Sequence, residues 1–215
     1  MAKVKVSRKS TRIDMTAMCD VAFLLLSFFI MTATAKQPEP KVVDTPASTV
    51  IDKLPEEGVA TITVGDKSVF FTIPDPEIRR KTLERISSKY NMAFTEQEYV
   101  AFSNMQGFGV PLNQLKGLLK LSAAERNAEG LQKGIPFDSI NNQLKDWVLE
   151  AREANKQVTE ARIAAGKEIP FKDLDIAIKG DAKEDYTTVK RVIDILQEQK
   201  KNRFFLVTGL RDENF

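Results

Sequence analysis

One carboxyl group stands inside an otherwise apolar run, Asp20 within Met15 to Ala35, MTAMCDVAFLLLSFFIMTATA. Near the centre of a membrane helix an Asp costs roughly 2.5–3.5 kcal/mol, and each of Val21, Phe23, Leu24, Leu25, Leu26, Phe28, Phe29 and Ile30 returns only about 0.3–0.6 kcal/mol. The two sides roughly cancel, so such a helix prefers protein neighbours to bare lipid. The chemistry open to an acid placed there is proton or ion movement. At 100° per residue, Thr16, Asp20, Ser27 and Thr34 fall within an arc of about 40°. Cys19 lies beside this polar stripe and Thr32 nearly opposite. Hydroxyls on that face can solvate a carboxyl as it gains and loses a proton. They are equally at home on an ordinary helix seam, since Ser and Thr are tolerated in membrane helices.

The element that must position Asp20 is a transmembrane helix over residues 15–35, since roughly 20 apolar residues rising ~1.5 Å each span the hydrocarbon core. A cleaved signal peptide also has a basic start, an apolar run and small residues such as Ala33-Thr34-Ala35. Asp14 and Asp20 at the head of the run, and Lys36 after it, favour an uncleaved anchor. Residues 1–14 carry Lys3, Lys5, Arg8, Lys9 and Arg12 against Asp14. A positive flank beside a first span predicts a cytoplasmic basic tail and a C-terminal part on the far side of the membrane.

The run Thr16-Ala17-Met18-Cys19-Asp20-Val21, followed by Leu/Phe-rich sequence, resembles the single membrane helix of the ExbD/TolR family. Those proteins are small subunits of proton-driven inner-membrane motors, and their pattern at this point is Thr-Pro-x-x-Asp-Val. Ala17 departs from it at the proline. The resemblance implies that Asp20 carries the proton, with Thr16, Ser27 and Thr34 in the stripe near it. It also implies a homodimer within a complex that contains an ExbB-like multi-span membrane subunit. A TonB-like periplasmic protein would receive the work, to energise outer-membrane transport. Two alternatives stay open: a TolR-like motor subunit for envelope maintenance, and a membrane-anchored periplasmic binding or scaffold domain in which Asp20 only pairs helices.

The rest of the 215-residue chain bounds the answer further. With no histidine and one cysteine, Cys19, the chain has no His-based triad, no His- or Cys-cluster metal site and no intrachain disulfide. No motif suggests covalent catalysis, so neither enzyme activity nor a cofactor or metal is expected. A net charge of +2 gives no global signal for nucleic acid. Residues 36–58 hold Pro38, Pro40, Pro46 and Pro55 and read as an extended periplasmic linker. Within it, Thr49 to Pro55 resembles the family's short strand ending in Leu-Pro.

A periplasmic two-layer α+β domain is expected over residues 59–215. It opens with a hairpin, 60–64 and 68–73, around Gly65-Asp66-Lys67. It closes with a strand through Leu174, Ile176 and Ile178, a turn at Gly180-Asp181, a helix bearing Val189, Val192, Ile193 and Leu196, and a strand 204–207. This closing run also resembles the family. Between hairpin and third strand lies a helical insertion, about 74–138, without which the family core is expected to close. Asp75-Pro76 starts one helix there, with Arg79, Arg80, Lys81 and Arg85 expected on a solvated face. Thr95–Glu98 and Ser122–Glu125 read as capping boxes. Ile140, Leu144, Trp147, Ala151, Ala154, Val158, Ala161 and Ala165 form a seam at spacings of three and four, closed by Gly166.

Overall fold

The computed structural model describes residues 14–33, 39–49, 54–55, 58–128, 130–167 and 170–210. They fall into two compact units, Met1–Gln37 and Pro38–Phe215. The first holds α1, Met15–Thr32, an 18-residue helix about 27 Å long. It contains no Pro or Gly, and its N-cap is Asp14. None of its residues is buried, and it is long and apolar enough to cross a membrane. Ala33 caps its C-terminus, so the helix ends short of the expected residue 35.

The second unit is built on a five-stranded sheet. After a two-residue strand β1 (Ala47–Ser48) come β2 (Val59–Gly65) and β3 (Ser68–Thr72), an antiparallel hairpin pairing Ile62 with Phe71. Its turn is Asp66-Lys67, both left-handed at φ 52° and 56° although neither is glycine. The Lys67 N–H donates to Glu184 at 3.0 Å and Asp66 pairs with Lys41, which helps hold that conformation. Then follow α2 (Pro76–Tyr90), α3 (Glu96–Ser103), β4 (Gly107–Phe108), α4 (Leu112–Leu119), α5 (Ala123–Arg126) and α6 (Gln143–Ala164). The chain closes with β5 (Asp175–Gly180), α7 (Tyr186–Glu198), β6 (Phe205–Val207) and β7 (Gly209–Leu210). The strand order is β4-β3-β2-β5-β6, with β5 parallel to both β2 and β6 and β4 antiparallel to β3.

Local chemistry sets the helix ends. Asp75 accepts from the Glu77 N–H at 2.8 Å, with Pro76 in the first turn, where a missing N–H costs nothing. Thr95 and Ser122 each form a complete capping box with Glu98 and Glu125. In α6, Leu144, Trp147, Ala151, Ala154 and Val158 are buried. The seam is shorter than its spacing suggested: Ile140 is fully exposed before the helix begins, and Ala161 and Ala165 are exposed. Ion pairs tie α6 to α2 and its cap, Arg85–Glu150 at 2.7 Å, Lys89–Asp146 at 2.7 Å and Arg162–Asp75 at 2.8 Å. The solvated face expected of α2 is corrected at Arg79, which is buried and donates through Nη1 to the Ile73 carbonyl at 2.9 Å.

Residues 74–138 are packed into this core rather than set beside it. They supply Ile78, Leu83, Ile86, Phe102, Phe108, Leu115 and Ile135 to the same buried cluster as Ile62, Phe71, Trp147 and Ile178. Its centre is aromatic: Phe108 lies 4.6 Å from Trp147, and Phe102 lies 5.3 Å from Phe108 and 5.8 Å from Trp147, between ring centroids. The same segment adds β4 to the edge of the sheet, against β3.

The described linker residues are extended, as their prolines require, but they are bound to the domain. Val43 is buried over Gly65, where a Cβ would come within 2.8 Å of its Cγ1. Glu39 pairs with Lys179 at 2.6 Å. The Ala182 N–H donates to the Asp44 carbonyl at 2.7 Å, and the Gly209 N–H to the Pro46 carbonyl at 2.9 Å. β1 then runs parallel to β7, Ala47 opposite Gly209. The strand expected at 49–55 falls largely on residues outside the described set; Thr49 is a bend, and Leu54 and Pro55 have no regular structure.

Candidate functional site: the carboxyl of the apolar helix

α1 forms because its Ala, Leu and Met side chains lose little on entering a helix that a side-chain acceptor caps. Asp14 is that cap. One of its carboxylate oxygens accepts from the Thr16 N–H at 3.0 Å and also from the Thr16 hydroxyl. The hydroxyl first, and then the backbone N–H, hold the Asp14 pKa below the usual carboxylate value. In the sequence Asp14 reads as a charge at the head of the apolar run and not as a cap. The signal that would have found the cap is an Asp directly before an apolar periodic run.

Asp20 lies in the second turn of the helix, exposed on its surface together with Val21, Phe23 and Leu24. Within α1 it is the sole charged residue. Its neighbours on the stripe are bonded elsewhere. Thr16 turns to Asp14, and the Ser27 hydroxyl donates to the Leu24 carbonyl at 2.9 Å. Thr32 donates likewise to Phe28 at 2.8 Å on the other side. Such back-bonding satisfies a hydroxyl hydrogen inside an apolar layer and leaves the oxygen free to accept. The stripe therefore places Thr16, Asp20 and Ser27 on one side without joining them, and Thr34 lies outside the described residues.

In the second unit Gly180 ends β5 and a turn follows from Asp181, whose carbonyl accepts from the Glu184 N–H at 3.1 Å. The Asp181 carboxylate accepts from the Lys183 N–H at 2.9 Å and the Asp44 N–H at 3.4 Å, so it closes the turn and clamps the linker. Among the described residues no group of three His, Cys, Asp or Glu side chains converges as a metal site needs. One charged cluster there joins Arg152, Asp173, Lys201 and Asp175, with Arg152–Asp173 and Lys201–Asp173 both at 3.0 Å. It ties α6 and the turn after α7 to the start of β5.

A family model described as biopolymer transport protein ExbD/TolR matches residues 7–210. No curated protein and no solved structure matches the chain. Members of this family are biopolymer-transport energising subunits that work with ExbB/TolQ-type and TonB/TolA-type partners. The match begins ahead of α1, ends with β7 and takes in every described element between, the 74–138 segment included, so the chain belongs to the ExbD/TolR family.

Proposed function

We propose that the chain is an ExbD-like subunit of an inner-membrane motor, in which protonation and release of Asp20 converts the proton motive force into work on TonB-dependent outer-membrane transport. The observation that carries this reading is the single charge in α1, on a helix whose apolar residues barely offset its cost. Such a carboxyl persists where it does chemistry. Two copies of α1 would sit inside a ring of ExbB-like multi-span subunits, with the basic tail in the cytoplasm and the α+β domain in the periplasm. One charge crossing 100 mV supplies ~2.3 kcal/mol, so work on an outer-membrane transporter takes several protons.

Asp20→Asn tests the reading. The amide keeps the size and hydrogen bonding of the neutral acid but releases no proton. The variant is expected to insert and to co-purify with the multi-span partner as well as wild type, while proton-motive-force-dependent uptake is abolished. Asp20→Glu moves the carboxyl by one methylene and should leave partial activity or none. Near-normal, uncoupler-sensitive uptake with Asn at position 20 ends the proton-carrier reading and favours a scaffold. If loss of the protein instead damages the envelope and spares uptake, the output is TolR-like.

A further inference from the structure

We infer that Asp14 is the cytoplasmic-side proton acceptor for Asp20, with the Thr16 hydroxyl as the bridge between the two carboxyls. This rests on the proton-carrier reading of Asp20. Asp14 and Asp20 are the two carboxylates of α1 and its cap, and Thr16 stands between them in sequence. Its hydroxyl already donates to Asp14, and its backbone N–H donates to the same oxygen at 3.0 Å. Thr16 also precedes Asp20 by four residues, a spacing that sets the two Cβ atoms about 5–6 Å apart on one helix face. Met15, Ala17 and Met18 offer no oxygen to either carboxyl. The hydroxyl is both donor and acceptor, so it can take a proton from one side as it gives its own to the other.

The step balances. The O–H bond of protonated Asp20 breaks and its proton passes to the Thr16 oxygen, directly or through one water. The original Thr16 proton passes to the Asp14 oxygen. Asp20 is left a carboxylate, Thr16 is unchanged, and Asp14 is briefly an acid. The bonds that Asp14 accepts favour its anion, which keeps it ionised and ready, and makes it release the proton quickly to cytoplasmic water. The last carrier before bulk solvent needs that property. Other titratable groups on α1 do not share the position: Cys19 is off the stripe, and the described part of the unit carries no basic residue.

Capping alone would explain the same two bonds, and substitutions separate the roles. Asp14→Asn and Asp14→Ser keep a capping acceptor at little cost, but neither takes up a proton. The full-length chain with its multi-span partner would be reconstituted in vesicles enclosing a pH-sensitive dye, and proton flux measured under an imposed potential at several pH values. Asn and Ser at position 14 are expected to slow flux by about a hundredfold, the lower range for a lost acid–base group. Asp14→Glu should recover much of it, and imidazole on the cytoplasm-equivalent side should rescue Asp14→Asn but not Asp20→Asn. Thr16→Val, which leaves both carboxyls in place, should match Asp14→Asn and answers the question should the position 14 variants fail to assemble. Wild-type flux in Asp14→Asn or in Thr16→Val overturns the relay. If Asp20→Asn itself conducts, the carrier reading falls first; if it does not conduct and Asp14→Asn does, only the relay falls.

Discussion

Asp173 accepts from Arg152 and Lys201, each at 3.0 Å, and these contacts give the domain an acid-sensitive point. Burial alone would raise its pKa, but hydrogen bonds from the two cations hold it below the usual value. A carboxylate depressed in the folded state stabilises above its unfolded pKa, about 3.9, and that stability is lost as pH falls through the folded value. Asp173→Asn is therefore expected to be less stable at pH 7 and to lose less on acidification below about pH 4. The side chain is 42% exposed, so solvent screening keeps the effect modest. Trp147, the one tryptophan and almost fully buried, reports unfolding in urea through its fluorescence. The same probe should register Phe102→Ala as a loss of about 3–5 kcal/mol, because the ring packs at the aromatic centre with no solvent to refill the space. Asp20 was legible in the sequence because the cost of a charge in hydrocarbon depends on its apolar neighbours in the chain. The bonds of Thr16 and Ser27 were not, since helical spacing names a face without saying which acceptor a hydroxyl chooses.

Among the elements, the linker is extended as its prolines require, but its contacts with the domain were not visible in its sequence. Pro40 and Pro46 keep the segment extended, and the carbonyls of Asp44 and Pro46 accept from the N–H groups of Ala182 and Gly209. The notch for Val43 exists because position 65 has no side chain, and no pattern in residues 36–58 reveals a vacancy at residue 65. Gly65→Ala would put a Cβ 2.8 Å from Val43 Cγ1, so the Val43 side chain must leave its place and the linker contact is expected to loosen. Faster hydrogen exchange is expected at the amides of Ala182 and Gly209, with the amides of β2 and β5 unchanged. Val43→Ala added to Gly65→Ala should restore much of the protection, which tests direct coupling of the two sites. The 74–138 segment makes a larger claim. Replacing it by a short Gly/Ser join strips Phe102, Phe108 and Leu115 from the core and β4 from the sheet. Loss of the folded domain is the expected result, read as a Trp147 emission maximum like that in urea; a folded deletion variant would show that the remaining helices and strands close alone.

For the whole molecule, the basic flank and single span predict residues 1–13 in the cytoplasm and 36–215 in the periplasm. Protease added to spheroplasts should digest the C-terminal domain. Full protection would reverse the orientation. The family itself was readable from three local stretches, around Asp20, from Thr49 to Pro55 and through Ala177 to Leu196, and the match over residues 7–210 extends it across the segment that had seemed foreign to it.

What the sequence determined by itself rests on short-range physics. The length and apolarity of α1, the caps at Asp75, Thr95 and Ser122, and the alternation in β2, β3 and β5 each depend on residues within a few positions of one another. The lone carboxyl in the apolar helix belongs to the same class. Tertiary structure decided what depends on partners far along the chain: Arg79 buried beneath Ile73, Phe102 and Phe108 brought onto Trp147, and Val43 seated over Gly65. An amphipathic helix specifies that one face will be covered. Which surface covers it follows only when all the faces compete for the same core, and so the helices of 74–138 could look like an addition while forming part of the centre.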